Sequence, residues 1–534
     1  MIGTRPVWGW GAMSDRSRNV IVLGSGAAGM AAALAAAVEG ARVTVLERSA
    51  WLGGTTAISG GGIWVPANPW AAAAGVVDDV DAGLRYLGNL RLGDTDPAVS
   101  EAYVRESVAV ARCLEDRAGL KWQHLVGMSD YHCELSGGCP GGRSLEIAPI
   151  QVSADAIARV RTDPYATPHW TINEEGAGSL RSGDAELLRR VEQRILTRGR
   201  GLIAALYDAL RPFGVEWRTQ VGAMSLATHD RHVISVDVDG RQLRGAVVVA
   251  TGGFERDPRL VASFLRGPVL APAGPPSNTG DGLRLGMSAG AALGNMSEAW
   301  WCPAVHIAGE QIDGSAFYRM LFMDSAKPGG LVIDRRGRRF ANEATNYNDF
   351  GRVLTELDGA AFEHTRIPSW LVFDEQRYRQ HPLGFMTDPQ PDGDWLVTAG
   401  SLIELAERIG VPATELSSTV DRFNEDVARG VDAFGRGSYV WDRFSSGGAE
   451  PRPLGDPPLY AARLLPGCLG TKGGLKTDGH GRVLAADGSG AIDGLFAAGN
   501  AAANPFGCAY PGPGATIGPA LVFGSLAGEA AAQS

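Results

Sequence analysis

Four things that the sequence lacks narrow the range of functions. Its six cysteines include no Cys-x-x-Cys pair, which excludes the usual zinc sites and dithiol redox centres and favours reduced, structural thiols. No stretch reaches about 18 uninterrupted apolar residues, which excludes a membrane-spanning helix. The net charge of -10 argues against a nucleic acid partner, because that binding requires clustered Lys and Arg. The nine histidines show no metal-ligand spacing, and we assign no metal.

The length and composition are those of a large folded protein. With 534 residues, of which 45% are hydrophobic and 20% charged, the chain can bury an extensive core, and we expect two domains. Residues 1–18 contain three arginines but no continuous apolar region, so we predict no signal peptide. We expect the fold to begin near Ser17.

The most informative pattern is a glycine turn between a strand and a helix. Residues 20–23 form an apolar, mostly β-branched run that leads into Gly24, Gly26 and Gly29. An alanine-rich helix over residues 27–38 follows, and the N–H groups of its first turn can hold a pyrophosphate. In such turns the first glycine permits the tight bend, the second lets the backbone approach phosphate, and the third lets the helix pack on the strand.

An acidic residue completes the pattern. Glu47 ends a second apolar run at residues 42–46, about 20 residues after the glycine turn. This is the spacing expected for a carboxylate that accepts hydrogen bonds from an adenosine ribose. The sequence therefore predicts a dinucleotide cofactor.

The segment of residues 52–63 favours FAD over a mobile NAD. It is dense in glycine, which lets the backbone approach a large flat ligand, and the hydroxyls of Thr55, Thr56 and Ser59 can bond to phosphate or to ring heteroatoms. The segment resembles that of the flavoproteins of the fumarate reductase and succinate dehydrogenase superfamily. Covalently flavinylated members carry a histidine here, and this chain has none. We therefore expect FAD to be held non-covalently.

Later segments indicate how the domains are arranged. Residues 245–253 predict a buried strand that returns to the nucleotide sheet, and residues 494–500 predict another strand and turn. Residues 515–532 predict an apolar helix whose N-terminus points at the flavin. The expected fold class is α/β, with a discontinuous Rossmann-like FAD-binding domain and an inserted α+β substrate domain. The predicted boundaries are 17–299 and 469–534 for the two parts of the FAD-binding domain, and 300–468 for the substrate domain.

Two features of the substrate domain can be predicted locally. Residues 330–340 read as a hairpin that turns at residues 335–337. Residues 387–394 contain proline, glycine and acidic residues and are expected to form a loop.

Further motifs point to one family. They are Ser-Asp-Tyr-His at 129–132, Pro-Gly-Gly-Arg-Ser at 140–144, Arg-Phe-Ala-Asn-Glu at 339–343 running on to Tyr347, Gly-Thr-Lys-Gly-Gly at 470–474, and Tyr-Pro-Gly-Pro-Gly within 509–519. On these motifs, the chain resembles 3-ketosteroid Δ1-dehydrogenase from the glycine turn to the last helix.

The resemblance implies roles for three tyrosines. Tyr347 would remove a proton from C2 of a 3-ketosteroid, and Tyr131 would assist it by favouring its ionised form. Tyr510 and the N–H of Gly514 would bind the C3 carbonyl, as an oxyanion hole for the developing enolate. The C1 hydride would pass to flavin N5. Trp300 and Trp301 could line a sterol channel, although core packing is favoured; His132 could equally be a solvent-facing loop residue.

The expected cofactor-binding set extends beyond the glycine turn. It comprises Gly24, Ser25, Gly26, Ala27, Ala28, Gly29, Glu47, Arg48, Gly54, Thr55, Thr56, Ser59, Gly60, Gly61, Gly62, Ala223, Thr251, Gly252, Gly253, Gly499, Asn500, Gly514, Thr516 and Ile517. No second nucleotide motif follows, so reduced FAD is expected to pass its electrons to a quinone or another external acceptor. We expect a cytoplasmic protein, with peripheral membrane contact suggested only by the apolar substrate.

Three alternatives stay open at this point. A 3-ketosteroid Δ4-(5α)-dehydrogenase would share the cofactor, the substrate class and one carbonyl-binding tyrosine. A fumarate reductase-like enzyme would need arginine and histidine to grip two carboxylates, where this chain has the apolar and aromatic segment 510–514. A non-catalytic flavoprotein would bind flavin that no steroid reduces.

Overall fold

The structure is a computed structural model that describes residues 18–162, 169–176, 184–229, 232–381, 383–385 and 394–534. The predicted start of the fold near Ser17 lies outside these residues, as does the predicted loop at 387–394 except for Asp394. The chain is an α/β protein, as predicted, and two large β-sheets organise it. In the described part of the chain, no helix combines the length and apolarity needed to cross a membrane.

The strands are numbered in chain order. They are β1 (Asn19–Leu23), β2 (Arg42–Glu47), β3 (Ile63–Trp64), β4 (Trp122–His124), β5 (Ser144–Ile147), β6 (Ile150–Gln151), β7 (Ile195–Leu196), β8 (Glu216–Thr219), β9 (Ser225–His229), β10 (His232–Val238), β11 (Arg241–Arg244), β12 (Ala246–Val249), β13 (Ala271–Pro272), β14 (Leu293–Gly294), β15 (Ala299–Val305), β16 (Gln311–Ile312), β17 (Ser315–Ala316), β18 (Arg319–Met320), β19 (Gly330–Ile333), β20 (Ser369–Asp374), β21 (Leu396–Ala399), β22 (Leu459–Thr471), β23 (Gly474–Leu475), β24 (Arg482–Leu484) and β25 (Ala491–Ala497).

The helices are numbered in the same way. They are α1 (Ala27–Val38), α2 (Pro69–Ala73), α3 (Val80–Asn89), α4 (Pro97–Ala118), α5 (Ala154–Arg159), α6 (Ile172–Gly176), α7 (Ala185–Glu192), α8 (Arg198–Leu210), α9 (Pro258–Phe264), α10 (Asp281–Ser288), α11 (Tyr347–Leu354), α12 (Glu375–Gln380), α13 (Leu402–Ile409), α14 (Ala413–Ala428), α15 (Val440–Ser445) and α16 (Ile517–Gln533). Short 3₁₀ helices cover Thr56–Ile58, Arg211–Phe213, Asp324–Ala326, Leu383–Phe385 and Gly499–Ala501.

The nucleotide sheet has the order β11-β10-β25-β12-β1-β2-β8, with β24 on β25 and β9 on β10. From β25 to β8 all neighbours are parallel. The three strands predicted from the sequence, which are β1, β12 and β25, lie side by side at its centre. Their continuous apolar runs follow from this position, since a parallel strand has both faces covered.

Helices α1 and α16 pack against each other and against this sheet. A Cβ atom added at Gly524 would clash with the carbonyl oxygen of Ala28, and one added at Gly528 would clash with that of Ala32. Only glycine on α16 therefore permits this close approach to the alanine-rich α1. The contact holds the N-terminus of α1 at the carboxyl end of β1, where a Rossmann-like fold binds pyrophosphate.

The second large sheet has the order β18-β15-β22-β20-β19, with β13 and β21 also paired to β22. The predicted hairpin at 330–340 is wrong in one half. The turn forms, with Gly337 N–H bonded to the Asp334 carbonyl at 3.0 Å, but residues 338–340 form no strand after it, and β19 pairs with the distant β20. The Arg339 guanidinium forms ion pairs with Glu343 and Asp432, so the second arm is fixed by buried charge. Strand β22 crosses the predicted boundary at 468, and the predicted domain limits stay a prediction.

Candidate active site

Three tyrosines from distant parts of the chain meet in one buried cluster. Tyr131 lies in the loop before β5, Tyr347 begins α11, and Tyr510 lies in the loop before α16. They are 4%, 9% and 2% exposed. The Tyr347 hydroxyl donates to the Tyr510 hydroxyl at 3.0 Å, and the Tyr131 ring centroid lies 5.8 Å and 5.2 Å from those of Tyr347 and Tyr510. The structure thus brings together the three residues that the resemblance singled out.

Tyr347 is positioned by the start of its helix. Asn346 caps α11, because its side-chain oxygen accepts the N–H of Asp349 at 3.1 Å. A Cβ atom added at Gly351 would lie 2.6 Å from the backbone nitrogen of Cys302, so the helix rests directly on β15. The Asn346 cap fixes the first residue of α11, and Gly351 fixes the distance between this helix and β15.

Tyr131 is held by its backbone and by the residue before it. Its N–H donates to the carbonyl oxygen of Pro511 at 3.0 Å, which joins its loop to the Tyr510 segment. The fully buried Asp130 accepts a hydrogen bond from Trp64 Nε1 at 2.7 Å and forms an ion pair with Arg143. Burial raises the pKa of Asp130 to about 6, although Arg143 and Trp64 oppose the shift.

A second contact joins the loop of Tyr131 to the helix of Tyr347. His132 Nε2 lies 2.9 Å from Asp349 Oδ2. The sequence left His132 open as a solvent-facing residue, and the structure pairs it across two chain segments. Neither hydrophobic periodicity nor motif spacing can predict such a pair, because its two residues lie more than 200 positions apart in the chain.

Tyr510 and Gly514 approach the cofactor segment closely. Gly514 has a φ of +89°, and an added Cβ atom would lie 2.6 Å from the carbonyl carbons of Gly62 and Ile63. Burial raises the pKa of Tyr510, while hydrogen bonds with Thr516 and the backbone of Gly514 lower it. Gly514 thus lies against segment 52–63, four residues after Tyr510 in the same loop, and the shared carbonyl-binding role of the two residues stays a prediction.

The environment of the tyrosines disfavours their ionisation. Burial raises the pKa of Tyr131 and of Tyr347 well above the ordinary value. Tyr131 and Tyr510 raise the pKa of Tyr347 further. The expectation that Tyr131 favours the ionised form of Tyr347 stays a prediction. A phenolate at this site needs positive charge from elsewhere.

Aromatic side chains enclose the cluster. The ring centroid of Trp300 lies 4.7 Å from that of Tyr510, and the ring centroid of Trp441 lies 4.5 Å from that of Tyr131. The ring centroid of Phe322 lies 5.0 Å from that of Tyr347. Sequence reasoning favoured core packing for Trp300 and missed the other two, since an isolated aromatic residue gives no positional signal.

The glycine turn after β1 is built around Ser25 and Glu47. The Ser25 N–H and hydroxyl donate to Glu47 Oε2 at 3.1 Å and 2.6 Å, and the hydroxyl also accepts the N–H of Gly53 at 2.9 Å. Glu47 Oε1 accepts the N–H of Ser49 at 2.8 Å. These bonds tie the ends of β1 and β2 to the glycine-rich segment 52–63.

The three glycines of the turn meet different surroundings. Gly24 has a φ of +102°, and a Cβ atom added at Gly29 would clash with the carbonyl oxygen of Gly24. At Gly26 the nearest atom to an added Cβ is Thr56 Oγ1, 3.8 Å away. The protein therefore leaves open space beside Gly26, at the N-terminus of α1. This space fits the pyrophosphate of FAD.

Two threonines adjoin the group formed by Ser25, Gly26 and Glu47, which together with them is called the cofactor cradle below. The Thr56 hydroxyl accepts the N–H of Ala27 at 3.2 Å, and the Thr55 hydroxyl accepts a hydrogen bond from Asn278 Nδ2 at 3.0 Å. Asn278 also donates to the buried Glu255 at 2.6 Å. Asn278 was absent from the predicted set, because no motif surrounds it.

Two residues of the predicted cofactor set make other contacts, and their role in binding FAD stays a prediction. Arg48 donates to the Thr279 hydroxyl and to Asp281, at 2.5 Å and 2.7 Å, and Gly60 is exposed beside Ile172. The others lie in segment 52–63, in the loops at the carboxyl ends of β8, β12 and β25, or at the starts of α1 and α16: Ala28, Gly54, Ser59, Gly61, Gly62, Ala223, Thr251, Gly252, Gly253, Gly499, Asn500, Thr516 and Ile517. Ligands of open parallel sheets bind at this edge.

Comparison with known proteins agrees with this geometry. A family profile described as an FAD binding domain matches residues 19–517. The chain is 36% identical to 4-oxocyclohexanecarboxylate 2-dehydrogenase of Sinomonas cyclohexanicum, covering 96% of this chain and 92% of that protein. It is 35% identical to 3-oxosteroid 1-dehydrogenase of Mycobacterium tuberculosis, covering 96% and 98%.

A solved structure is similar over nearly the whole chain. It is 3-ketosteroid Δ1-dehydrogenase from Sterolibacterium denitrificans in complex with 1,4-androstadiene-3,17-dione, with a TM-score of 0.88, 31% identity, and 97% and 100% of the two chains covered. Fold, cradle and comparisons together define an FAD-dependent oxidoreductase that acts on CH–CH bonds. Within this class, the chain belongs to the 3-ketosteroid Δ1-dehydrogenase family.

Proposed function

We propose that the protein catalyses the FAD-dependent 1,2-dehydrogenation of a 3-ketosteroid. The observation that supports this most directly is the convergence of three tyrosine side chains in one buried cluster, with the Tyr347 and Tyr510 hydroxyls 3.0 Å apart. Desaturation next to a ketone needs a carbonyl-binding donor and a base in one place, and this cluster offers both.

We propose the following roles for the residues of the site. Tyr510 O–H and Gly514 N–H hold the C3 carbonyl oxygen, which acidifies the proton on C2 and stabilises the enolate oxygen that forms. Tyr347, as its phenolate, takes the C2 proton, and Tyr131 orients the Tyr347 hydroxyl. Bound FAD would supply the acceptor for the hydride that leaves C1. The aromatic wall of the buried Trp300 and Trp441 and the partly buried Phe322 excludes water from this reaction.

The cofactor cradle completes the proposal. Ser25, Glu47 and Thr56 would position the adenosine and pyrophosphate parts of FAD, and the open space at Gly26 would admit the phosphates. We propose that FAD is bound non-covalently, which acid precipitation tests, because non-covalent FAD is released into the supernatant. Electron transfer from reduced FAD to a quinone or another external acceptor, and a cytoplasmic location with peripheral membrane contact, are further parts of the proposal.

A second substrate class has a specific observation in its favour. The relative from Sinomonas cyclohexanicum, at 36% identity, acts on 4-oxocyclohexanecarboxylate. Its name and that of the steroid enzymes describe the same bond change, which is a new double bond beside a six-membered ring ketone. The alternative proposal is therefore the same chemistry on a small ring ketone that carries a carboxylate.

One anaerobic experiment separates these possibilities. Purified holoprotein is mixed with androst-4-ene-3,17-dione, with 4-oxocyclohexanecarboxylate or with a 5α-saturated 3-ketosteroid, and the oxidised flavin absorbance is followed while the product is identified. Bleaching by the steroid with a 1,4-diene product is the expected result. Bleaching by the keto acid alone would transfer the function to the small substrate. A 4-ene product from the 5α-steroid alone would favour the Δ4 alternative, and no bleaching in all three arms would reject the proposal.

A further inference from the structure

A buried lysine lies beside the proposed carbonyl-binding tyrosine. Lys472 is 1% exposed and follows the last residue of β22. Its Nζ lies 4.6 Å from the ring centroid of Trp300 and 6.0 Å from that of Tyr510. The same nitrogen donates to the carbonyl oxygen of Cys508 at 2.5 Å, two residues before Tyr510 in the chain. The ammonium group thus contacts the Tyr510 segment through both a ring face and the backbone.

The backbone holds this lysine in place from two sides. Its N–H donates to the carbonyl oxygen of Glu298 at 2.9 Å, and its own carbonyl accepts the N–H of Asn504 at 2.9 Å. The next residue, Gly473, is so close to Met296 that an added Cβ atom would lie 2.5 Å from its Cα. The backbone at Lys472 therefore cannot shift without disturbing both neighbouring segments, and the bond to the Cys508 carbonyl holds the ammonium group.

The acids near Lys472 are engaged by other cations. Glu298 forms ion pairs with Arg266 and Arg352, and Asp349 pairs with His132. Among the described residues, no carboxylate forms a salt bridge with Lys472. Its positive charge is therefore not cancelled by direct contact, and it acts on the aromatic rings that it faces.

This charge meets a requirement of the proposed chemistry. Burial raises the pKa of all three tyrosines, and the reaction moves negative charge from Tyr347 to the carbonyl oxygen held by Tyr510. Burial lowers the pKa of Lys472 to about 8, while Glu298, Asp349 and Cys508 raise it and Arg352 lowers it. Below that pH the lysine is protonated, so the charge is present at neutral pH.

We propose that Lys472 is a positioning residue for this reaction: its ammonium group orients Trp300 and Tyr510 and supplies the positive charge that stabilises an enolate oxygen bound by Tyr510. The inference rests on the proposed function, because it assigns Tyr510 to the carbonyl. It predicts that the site binds an anionic ring oxygen more tightly than a neutral ring ketone, and that the difference depends on Lys472.

Ligand binding tests this without turnover. The probes are 4-nitrophenolate, a planar ring with an anionic oxygen, and androsta-1,4-diene-3,17-dione, a neutral ring ketone. Each is titrated into holoprotein at neutral pH, and the dissociation constant is read from the change in the flavin visible spectrum. Lys472→Met should weaken the phenolate about 10- to 100-fold and the neutral ketone less than about 3-fold. Lys472→Arg should recover most of the phenolate affinity.

Two comparisons separate a local electrostatic role from a structural one. Lys476→Met removes a partly exposed lysine that pairs with Asp94, and it should change neither dissociation constant. In a Tyr510→Phe background, Lys472→Met should weaken the phenolate less than about 3-fold, because the two residues act together. The proposal would be overturned if Lys472→Met weakened the binding of both probes equally. It would also be overturned if Lys472→Met weakened phenolate binding by the full amount in the Tyr510→Phe background.

The wild-type protein provides a measurement that does not depend on folding of Lys472→Met. Its phenolate affinity should fall as the pH rises through about 8, where Lys472 loses its proton, whereas that of Lys472→Arg should stay constant. A wild-type affinity that is unchanged through this range would also overturn the inference. Failure of the wild-type protein to desaturate any ketone would instead reject the proposed function, and that assay is separate from these titrations.

Discussion

His132 Nε2 lies 2.9 Å from Asp349 Oδ2, and this contact links the residue after Tyr131 to the helix that Tyr347 begins. Burial raises the pKa of Asp349, but hydrogen bonds from His132, Asn346 and Asn348 outweigh it and lower the value to about 2. Burial lowers the pKa of His132, but the bond with Asp349 outweighs it and the result is raised. The pair is charged at mildly acidic pH.

This pair should stabilise the fold in one pH window. The carboxylate contributes above its unfolded pKa of about 4, and the imidazolium contributes fully below its unfolded pKa of about 6.5, with the contribution lost as the pH rises through the raised folded value. About a third of each side chain is exposed, so we expect a coupling of only about 0.5–1 kcal/mol. A double-mutant cycle with His132→Asn and Asp349→Asn in urea unfolding should show it at pH 6 and not at pH 9. A coupling that is independent of pH would contradict this account.

Removing the Tyr510 hydroxyl should impair the reaction and leave the fold intact. We expect Tyr510→Phe to lower the rate of anaerobic flavin reduction about 10²- to 10³-fold, because one oxyanion donor is lost. Tyr347→Phe should be at least as damaging, since no other base is proposed. Both proteins should retain FAD, because the substitutions leave the glycine turn unchanged. The control is Tyr439→Phe, at a side chain that is 51% exposed, and a comparable loss there would contradict the assignment.

Gly26 provides a direct test of the cofactor cradle. An alanine fits the protein at this position, since the nearest atom to its Cβ is 3.8 Å away, so Gly26→Ala should leave the stability of the apoprotein within about 0.5 kcal/mol. The methyl group would occupy the space assigned to the pyrophosphate, and FAD should bind at least about 10-fold more weakly, or about 1.4 kcal/mol. Titration of apoprotein by flavin fluorescence measures this.

Gly88 supplies the matched control for that substitution. It lies exposed in α3, and an added Cβ atom would meet nothing within 4 Å. Gly88→Ala should leave the FAD dissociation constant unchanged and raise stability by up to about 1 kcal/mol, because alanine favours the helix. Wild-type FAD affinity in Gly26→Ala would mean that the phosphates lie elsewhere.

The buried ion pair behind Tyr131 should be costly to break. Arg143→Met leaves the buried carboxylates of Asp130 and Asp78 without their shared partner, and we expect a loss of about 3–5 kcal/mol in unfolding free energy. The pKa of Asp130 is already raised to about 6 in the folded protein, so this carboxyl group binds a proton more readily there than in the unfolded chain. The loss should therefore be smaller at pH 5, where Asp130 can become neutral, than at pH 8. Arg105→Met, which removes an exposed pair with Glu101, should cost less than about 1 kcal/mol at either pH.

The cofactor half of the protein could be predicted from the sequence because its signals are local. Strand β1, the glycine turn, helix α1 and the acidic end of β2 follow one another within about 30 residues, and each is dictated by backbone geometry and burial. The returning strands β12 and β25 were also predicted, since strands buried on both faces are apolar throughout. The local signals stop where pairing depends on distant partners. The second arm of the 330–340 hairpin was wrong because buried ion pairs of Arg339 decide its course.

The sequence by itself predicted the fold class and FAD as the cofactor, since motifs of adjacent residues carry both, and its resemblance to a family singled out the three tyrosines. Only the tertiary structure decided what surrounds the tyrosines. The pairing of His132 with Asp349 and the contact of Trp441 with Tyr131 join residues more than 200 positions apart, and the contacts of Phe322 with Tyr347 and of Lys472 with Tyr510 join different elements of the fold. Spatial contacts of this kind leave no periodicity in a single chain, because burial and electrostatics act through space and not along the sequence.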